Sequence, residues 1–252
     1  MKLNLRILLI ATLALLPSAL RAQTNVQVLY EFAGDRQYVT TTFSMFKPDR
    51  WGDTFFFIDH YFANSADRNY GLASAVNGSY FEIERGLNFW QDTPMKDFSL
   101  HVEYDGATWG AGIWCFGGKY SFHNADFSNT ASIALMYDLH CGLGSSEYPF
   151  KLTGVWALND LFGLKGLQFS GFADFWGNDQ NILYDATVLR AGGGKRYDMR
   201  FSILSEPQLW YRIGSLFGCD NLNIGGEVEL TYNFANTPGF FCRPCAGIKW
   251  DF

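Results

Sequence analysis

Over most of this chain, apolar and polar side chains take turns one residue at a time. "FSLHVEYD" sets Phe98, Leu100, Val102 and Tyr104 on one side and Ser99, His101, Glu103 and Asp105 on the other. "NVQVLYEF" separates Val26, Val28, Tyr30 and Phe32 from Gln27 and Glu31. "YFEIERGLNFW" separates Phe81, Ile83, Leu87 and Phe89 from Glu82, Glu84 and Asn88. "NLNIGGEVELTYNF" places Leu222, Ile224, Val228, Leu230, Tyr232 and Phe234 against Asn223, Glu227, Glu229 and Asn233. A repeat of two is the side-chain period of a strand, so each segment meets apolar surroundings on one face and polar ones on the other. The pattern runs to the end: "AGIKWDF" alternates Ile248, Trp250 and Phe252 with Lys249 and Asp251, where most chains finish in a polar, frayed tail.

Composition narrows which surroundings these are. Aromatics make up 18% of the residues and charged residues 17%, against about 25% charged in an average soluble domain. After the first residues there is no second apolar run of roughly 18 residues, so helical spans are excluded there. Strands that are rich in aromatics, poor in charge and alternating are the signature of a membrane β-barrel. A secreted soluble sandwich would alternate too, but would present Lys, Ser and Thr on its outer face.

The first 22 residues fit export. Lys2 and Arg6 precede an apolar run from Ile7 to Leu16, Pro17 breaks it, and Leu20-Arg21-Ala22 ends in a small residue before Gln23. That is the layout of a cleaved signal peptide, leaving residues 23–252 as one barrel domain. Its loss removes Lys2, Arg6 and Arg21, leaving 16 of 19 basic residues against 25 acidic ones, a balance of −9. Such acidity speaks against nucleic acid as a partner. Five cysteines, Cys115, Cys141, Cys219, Cys242 and Cys245, cannot all pair within one chain. The Cys242–Cys245 spacing suits a turn disulfide or plain thiols, and neither a metal site nor a cofactor is expected.

Strands are expected near 38–46, 53–63, 111–122, 130–140, 149–158, 166–176, 196–204 and 207–214, besides the four alternating segments and the terminal one. That makes 13 candidates where bacterial barrels favour even numbers. Pro207 cannot donate to a ladder, so the two strands around it are expected to be one, giving about 12. "ANSADRNYGLASAVNG" (63–78), "HNADFSN" (123–129) and "GNDQNILYDATVLRAGGGK" (177–195) read as loops. Trp90, Tyr104 and Trp250 fall near strand ends, where aromatic girdles meet the headgroups.

Several segments carry a family resemblance. "DRWGDTFFFIDHYF" (49–62), "GSYFEIERGLNF" (78–89) with its central Tyr80–Arg85 stretch, "DLFGLKGLQFSGFADFWGND" (160–179) and the aromatic last strand resemble the Tsx family. That family comprises nucleoside-specific channel-forming proteins of the outer membrane, built as 12-stranded barrels with a narrow pore. The chain departs from the family pattern in its shorter loops, its adjacent Phe175 and Trp176, and its cysteines. The resemblance implies passage of nucleosides.

The alternation nominates the lumen residues. A lipid-facing Asp is costly, so Asp59 sets the register of its strand and turns Asp53, Phe55, Phe57 and Tyr61 inward with it. The same rule turns Gln168, Ser170, Phe172, Asp174 and Trp176 inward. With Glu82, Glu84, His101, Glu103, Asp105, Glu227 and Glu229 they form an acidic, aromatic lining, with Arg85, Lys119, Arg200 and Lys249 as possible ion partners. The expectation is a non-enzymatic outer-membrane channel for passive uptake of small solutes, nucleosides among them. A non-conducting scaffold or adhesin and a lipid-acting barrel enzyme are the alternatives. No catalytic set such as G-x-S-x-G is present. Expected partners are outer-membrane lipid, small solutes and the barrel-assembly machinery, for which Phe252, Trp250 and Ile248 form the recognition signal.

Overall fold

The structure is a computed structural model that describes residues 23–34, 37–62, 76–108, 112–141, 146–180, 199–234 and 237–252. Residues 1–22, expected to be a signal peptide, and most of the two longest expected loops lie outside the described residues. Strands β1 (Gln23–Glu31), β2 (Val39–Asp49), β3 (Gly52–Phe62), β4 (Val76–Leu87), β5 (Phe98–Ala107), β6 (Ile113–His123), β7 (Thr130–His140), β8 (Phe150–Asn159) and β9 (Leu167–Gln180) pair each with the next, all antiparallel. Then β10 (Met199–Ser205) and β11 (Gln208–Arg212) follow one another between β9 and β12 (Leu222–Phe234). Finally β13 (Thr237–Asp251) pairs with β12 on one side and β1 on the other, so the sheet closes.

Thirteen strand segments therefore fill twelve positions in a closed barrel. The break in the double segment falls at Glu206-Pro207, as expected from the missing proline N–H. Continuity survives there because the Val228 N–H donates to Pro207 O at 3.0 Å and the Glu206 N–H to Phe172 O at 3.1 Å. Closure leaves no unpaired edge, which a strand in hydrocarbon requires.

The side chains are arranged inside out. Among the described residues, buried polar or charged side chains number 18 against seven apolar ones. Outward residues such as Ile83 (50% exposed), Leu100, Ile133, Leu135 (60%) and Ile248 are bare, while Glu103 (1%) and Lys151 (7%) are hidden. A water-soluble fold would be destabilised by that inversion; a barrel in lipid is stabilised by it. Outward glycines are roofed by rings: a Cβ on Gly106 would lie 2.4 Å from the Phe81 ring, and one on Gly118 2.9 Å from Phe98.

The start of β1, the end of β13 and the linkers 50–51, 88–97, 124–129, 160–166 and 213–221 share one end of the barrel, the terminal end. The ends of β3 and β9 and the starts of β4 and β10 share the other. Aromatic clusters mark both ends. Phe81, Tyr104 and Trp114 pack ring to ring at 5.9 and 4.8 Å away from the termini. At the terminal end Trp51 meets Phe89 at 5.7 Å, and Trp90 stacks on Phe98 while donating its indole N–H to Phe98 O. In the 160–166 turn, Asp160 and Phe162 adopt left-handed φ values of 51° and 56°, and the Asp160 carboxylate accepts the Gly166 N–H at 2.7 Å.

Several expectations need correction. Strand β4 starts at Val76 and β9 runs to Gln180, so the expected loops 63–78 and 177–195 are shorter at those ends. Phe234 does not continue the outward stripe: Asn233 takes φ 52°, the register shifts, and Phe234 meets the inward Trp176 at 5.9 Å. Arg85 is not a lumen cation: it sits on the outward set, where its guanidinium grips Asp49 at 2.8 Å and donates to Thr54. Cys242 and Cys245 are three apart in a straight strand, hence on opposite faces, and all five cysteines are free thiols.

Candidate functional site in the barrel lumen

The lumen chemistry is set by register. Glu82 stands directly opposite Asp105, and Glu84 opposite Glu103, on the paired strands β4 and β5. Like charges directly opposed across a sheet repel, so two successive acid pairs require cations nearby. One comes from three strands away. Lys151, on β8, reaches over to bond Glu103 Oε1, and its Nζ lies 3.4 Å from Asp105 Oδ2, 3.4 Å from Asp174 Oδ2 and 3.9 Å from Glu82 Oε2. His101 supplies the other contact, its Nε2 at 3.4 Å from Glu84 Oε2 and 3.5 Å from Glu103 Oε2. Glu103 thus bridges Lys151 and His101. Next to this cage Lys119 pairs with Asp53 at 2.7 Å, tying β6 to β3.

Aromatic side chains stand beside the cage. Phe57 is opposite Glu82 and Phe55 opposite Glu84, so both share the inward face. Phe55 and Phe57 are 6.0 Å apart, Phe57 and Tyr80 5.6 Å, and the Tyr80 hydroxyl donates to Glu82 at 3.2 Å. Farther along β3, Asp59 accepts the Thr42 hydroxyl at 2.6 Å and the Tyr61 hydroxyl at 3.4 Å, and Tyr61 meets Tyr38 edge-on.

The opposite wall carries a second network. Arg243 pairs with Glu229 at 2.6 Å and donates to Thr231. Glu227 accepts from Gln208, which in turn accepts the indole N–H of the fully buried Trp210. Lys249 lies over the Trp210 ring at 5.0 Å and donates to Gln168 at 2.6 Å, and Gln168 donates to Asn159. Phe172 faces inward opposite Val155, and Trp176 opposite Lys151.

Of the nominated residues, Glu82, Glu84, His101, Glu103 and Asp174 are brought together in the cage, with Phe55 and Phe57 flanking it. Asp59 and Tyr61 form a separate pair, Glu227 and Glu229 belong to the second network, and Trp176 joins Phe234. Lys151, Arg243, Tyr80 and Trp210 were missed. A parity signal existed for Lys151: in "FKLTGVWALN" it sits between Phe150 and Leu152, and a cation flanked by outward apolar neighbours must face in. Nothing comparable marked Trp210, whose type suits a headgroup belt equally well.

A closed antiparallel barrel with an apolar belt, aromatic ends and a polar lumen defines the outer-membrane β-barrel fold. Within that class the chain belongs to the family described as DUF5020, a domain of unknown function, whose pattern matches residues 24–252. No curated protein matches it by sequence. Among solved structures it is similar to the NanC porin, with a TM-score of 0.54 at 11% identity over 91% of this chain and 100% of that one. It is also similar to the Salmonella typhi outer membrane phospholipase, with a TM-score of 0.50 at 11% identity over 93% of each chain. At such identity the likeness is one of fold.

Proposed function

We propose that this protein resides in the outer membrane and serves as a channel for small solutes, with nucleosides as the class its lumen suits. The observation that carries the reading is the Phe55–Phe57–Tyr80 ladder on the same inward face as Glu82 and Glu84. Rings of this kind offer flat bases a stacking surface worth about 1–3 kcal/mol per base. Carboxylates beside them accept ribose hydroxyls and repel nucleotide phosphates. The porin likeness in fold and the Tsx-like segments point the same way.

Purified protein in planar bilayers is expected to conduct, with current falling as adenosine is added and Phe57→Ala weakening that block about tenfold or more. Conductance indifferent to nucleosides would remove the substrate class; no conductance at all would remove the channel and leave a scaffold.

One contact favours a second reading, a barrel enzyme acting on lipid. On the outward face the Ser79 hydroxyl lies 2.7 Å from His60 Nδ1, within the reach a nucleophile needs from its base. Hydrolysis of phospholipid in mixed micelles that Ser79→Ala abolishes would support it; equal background rates for both proteins would dismiss it.

A further inference from the structure

We propose that Glu84, His101 and Glu103 form a lumen site for one divalent transition-metal ion, of the zinc class. The three side chains come from two paired strands, and each offers one ligand atom, all within 4.8 Å of one another. Ligand atoms held about 2.0–2.1 Å from a tetrahedral metal lie about 3.3 Å apart, which the His101 separations of 3.4 and 3.5 Å resemble more than they resemble hydrogen bonds. One imidazole with two carboxylates is a donor set that suits zinc and its neighbours better than calcium or magnesium.

Two further observations point to a missing cation. The charge does not balance: Glu82, Glu103, Asp105 and Asp174 surround the single ammonium of Lys151, and Glu84 adds a fifth carboxylate that touches only His101 among the cage's basic groups. The second is orphaned oxygens. Asp105 and Asp174 are both more than nine-tenths buried, and each touches Lys151 through Oδ2 while Oδ1 has no hydrogen-bond partner. Buried polar atoms left unpaired in a well-formed interior mark a place where water or an ion belongs. Asp105 lies within ligand spacing of Glu103, the residue that the proposed site shares with the Lys151 cage. A divalent ion would separate the opposed Glu84 and Glu103 carboxylates, which the Lys151 ammonium meets only through Glu103.

The test is equilibrium dialysis of chelator-stripped, detergent-solubilised full-length barrel against zinc. The expected result is one saturable zinc per chain in the micromolar range or tighter. His101→Ala and the isosteric Glu84→Gln should each weaken it tenfold or more, while His123→Ala, at the terminal end of β6, leaves it unchanged. Heat-modifiable migration on gels checks that each variant is folded. No saturable zinc in the wild type, or equal affinity in folded His101→Ala or Glu84→Gln, overturns the site. Binding is read without current, so a barrel that binds zinc but does not conduct would sink the channel and spare the site. One that conducts without binding zinc would do the reverse.

Discussion

At Lys151 Nζ, carboxylates from β4, β5 and β9 converge on one ammonium with almost no access to solvent. Replacing it with methionine keeps the volume and strands the acids. Removing one partner of a buried ion pair typically costs about 3–5 kcal/mol, and Lys151→Met is expected to fall in that range. The measurement is the temperature at which the folded band disappears on unheated gels. Adding Glu103→Gln to Lys151→Met should recover part of the loss, because the two sites share one interaction. A double variant as weak as the sum of both singles would deny the coupling. At this scale the inward expectation for Asp59 came from its place in the strand: an acid in a lipid-bound strand has one direction open to it, and the Thr42 and Tyr61 hydroxyls meet it.

Strand β13 shows how far a single element can be read. Its alternation puts Ile248, Trp250 and Phe252 outside and Lys249 inside, and the burial follows that order. The final N–H is still engaged, with Phe252 donating to Thr24 O at 2.9 Å, so the last residue belongs to the sheet that closes the barrel. Deleting Phe252 is expected to lower the yield of assembled protein in outer-membrane fractions several-fold without changing its expression. Unchanged yields would mean that the terminal aromatic is wall and not signal. The β10–β11 break was legible because proline removes a donor wherever it stands. The turn of Phe234 into the lumen was not, since it depends on Asn233 adopting a left-handed conformation, a choice that alternation cannot encode.

For the molecule as a whole, the discriminating question is what touches the outer face. Leu135 sits in the middle of β7, 60% exposed. On a soluble barrel Leu135→Arg would be nearly neutral. At the midplane of a bilayer it is expected to cost about 2–4 kcal/mol, measured by reversible urea unfolding in liposomes. An effect below about 0.5 kcal/mol would argue against a lipid-facing belt.

Closure also explains the division between what could be read early and what could not. A period of two, an aromatic excess and the need to satisfy every backbone group in lipid were enough to specify an antiparallel barrel of twelve strand positions and the facing of most residues. These are local rules, applied one strand at a time. The meeting of Lys151 with Glu82, Glu103 and Asp105, and of Lys249 with Trp210 and Gln168, joins strands that are not neighbours. Such contacts exist only once the sheet has curled into a ring of fixed circumference. Alternation tells each side chain which way to point; the radius and register of the closed barrel choose what it meets there.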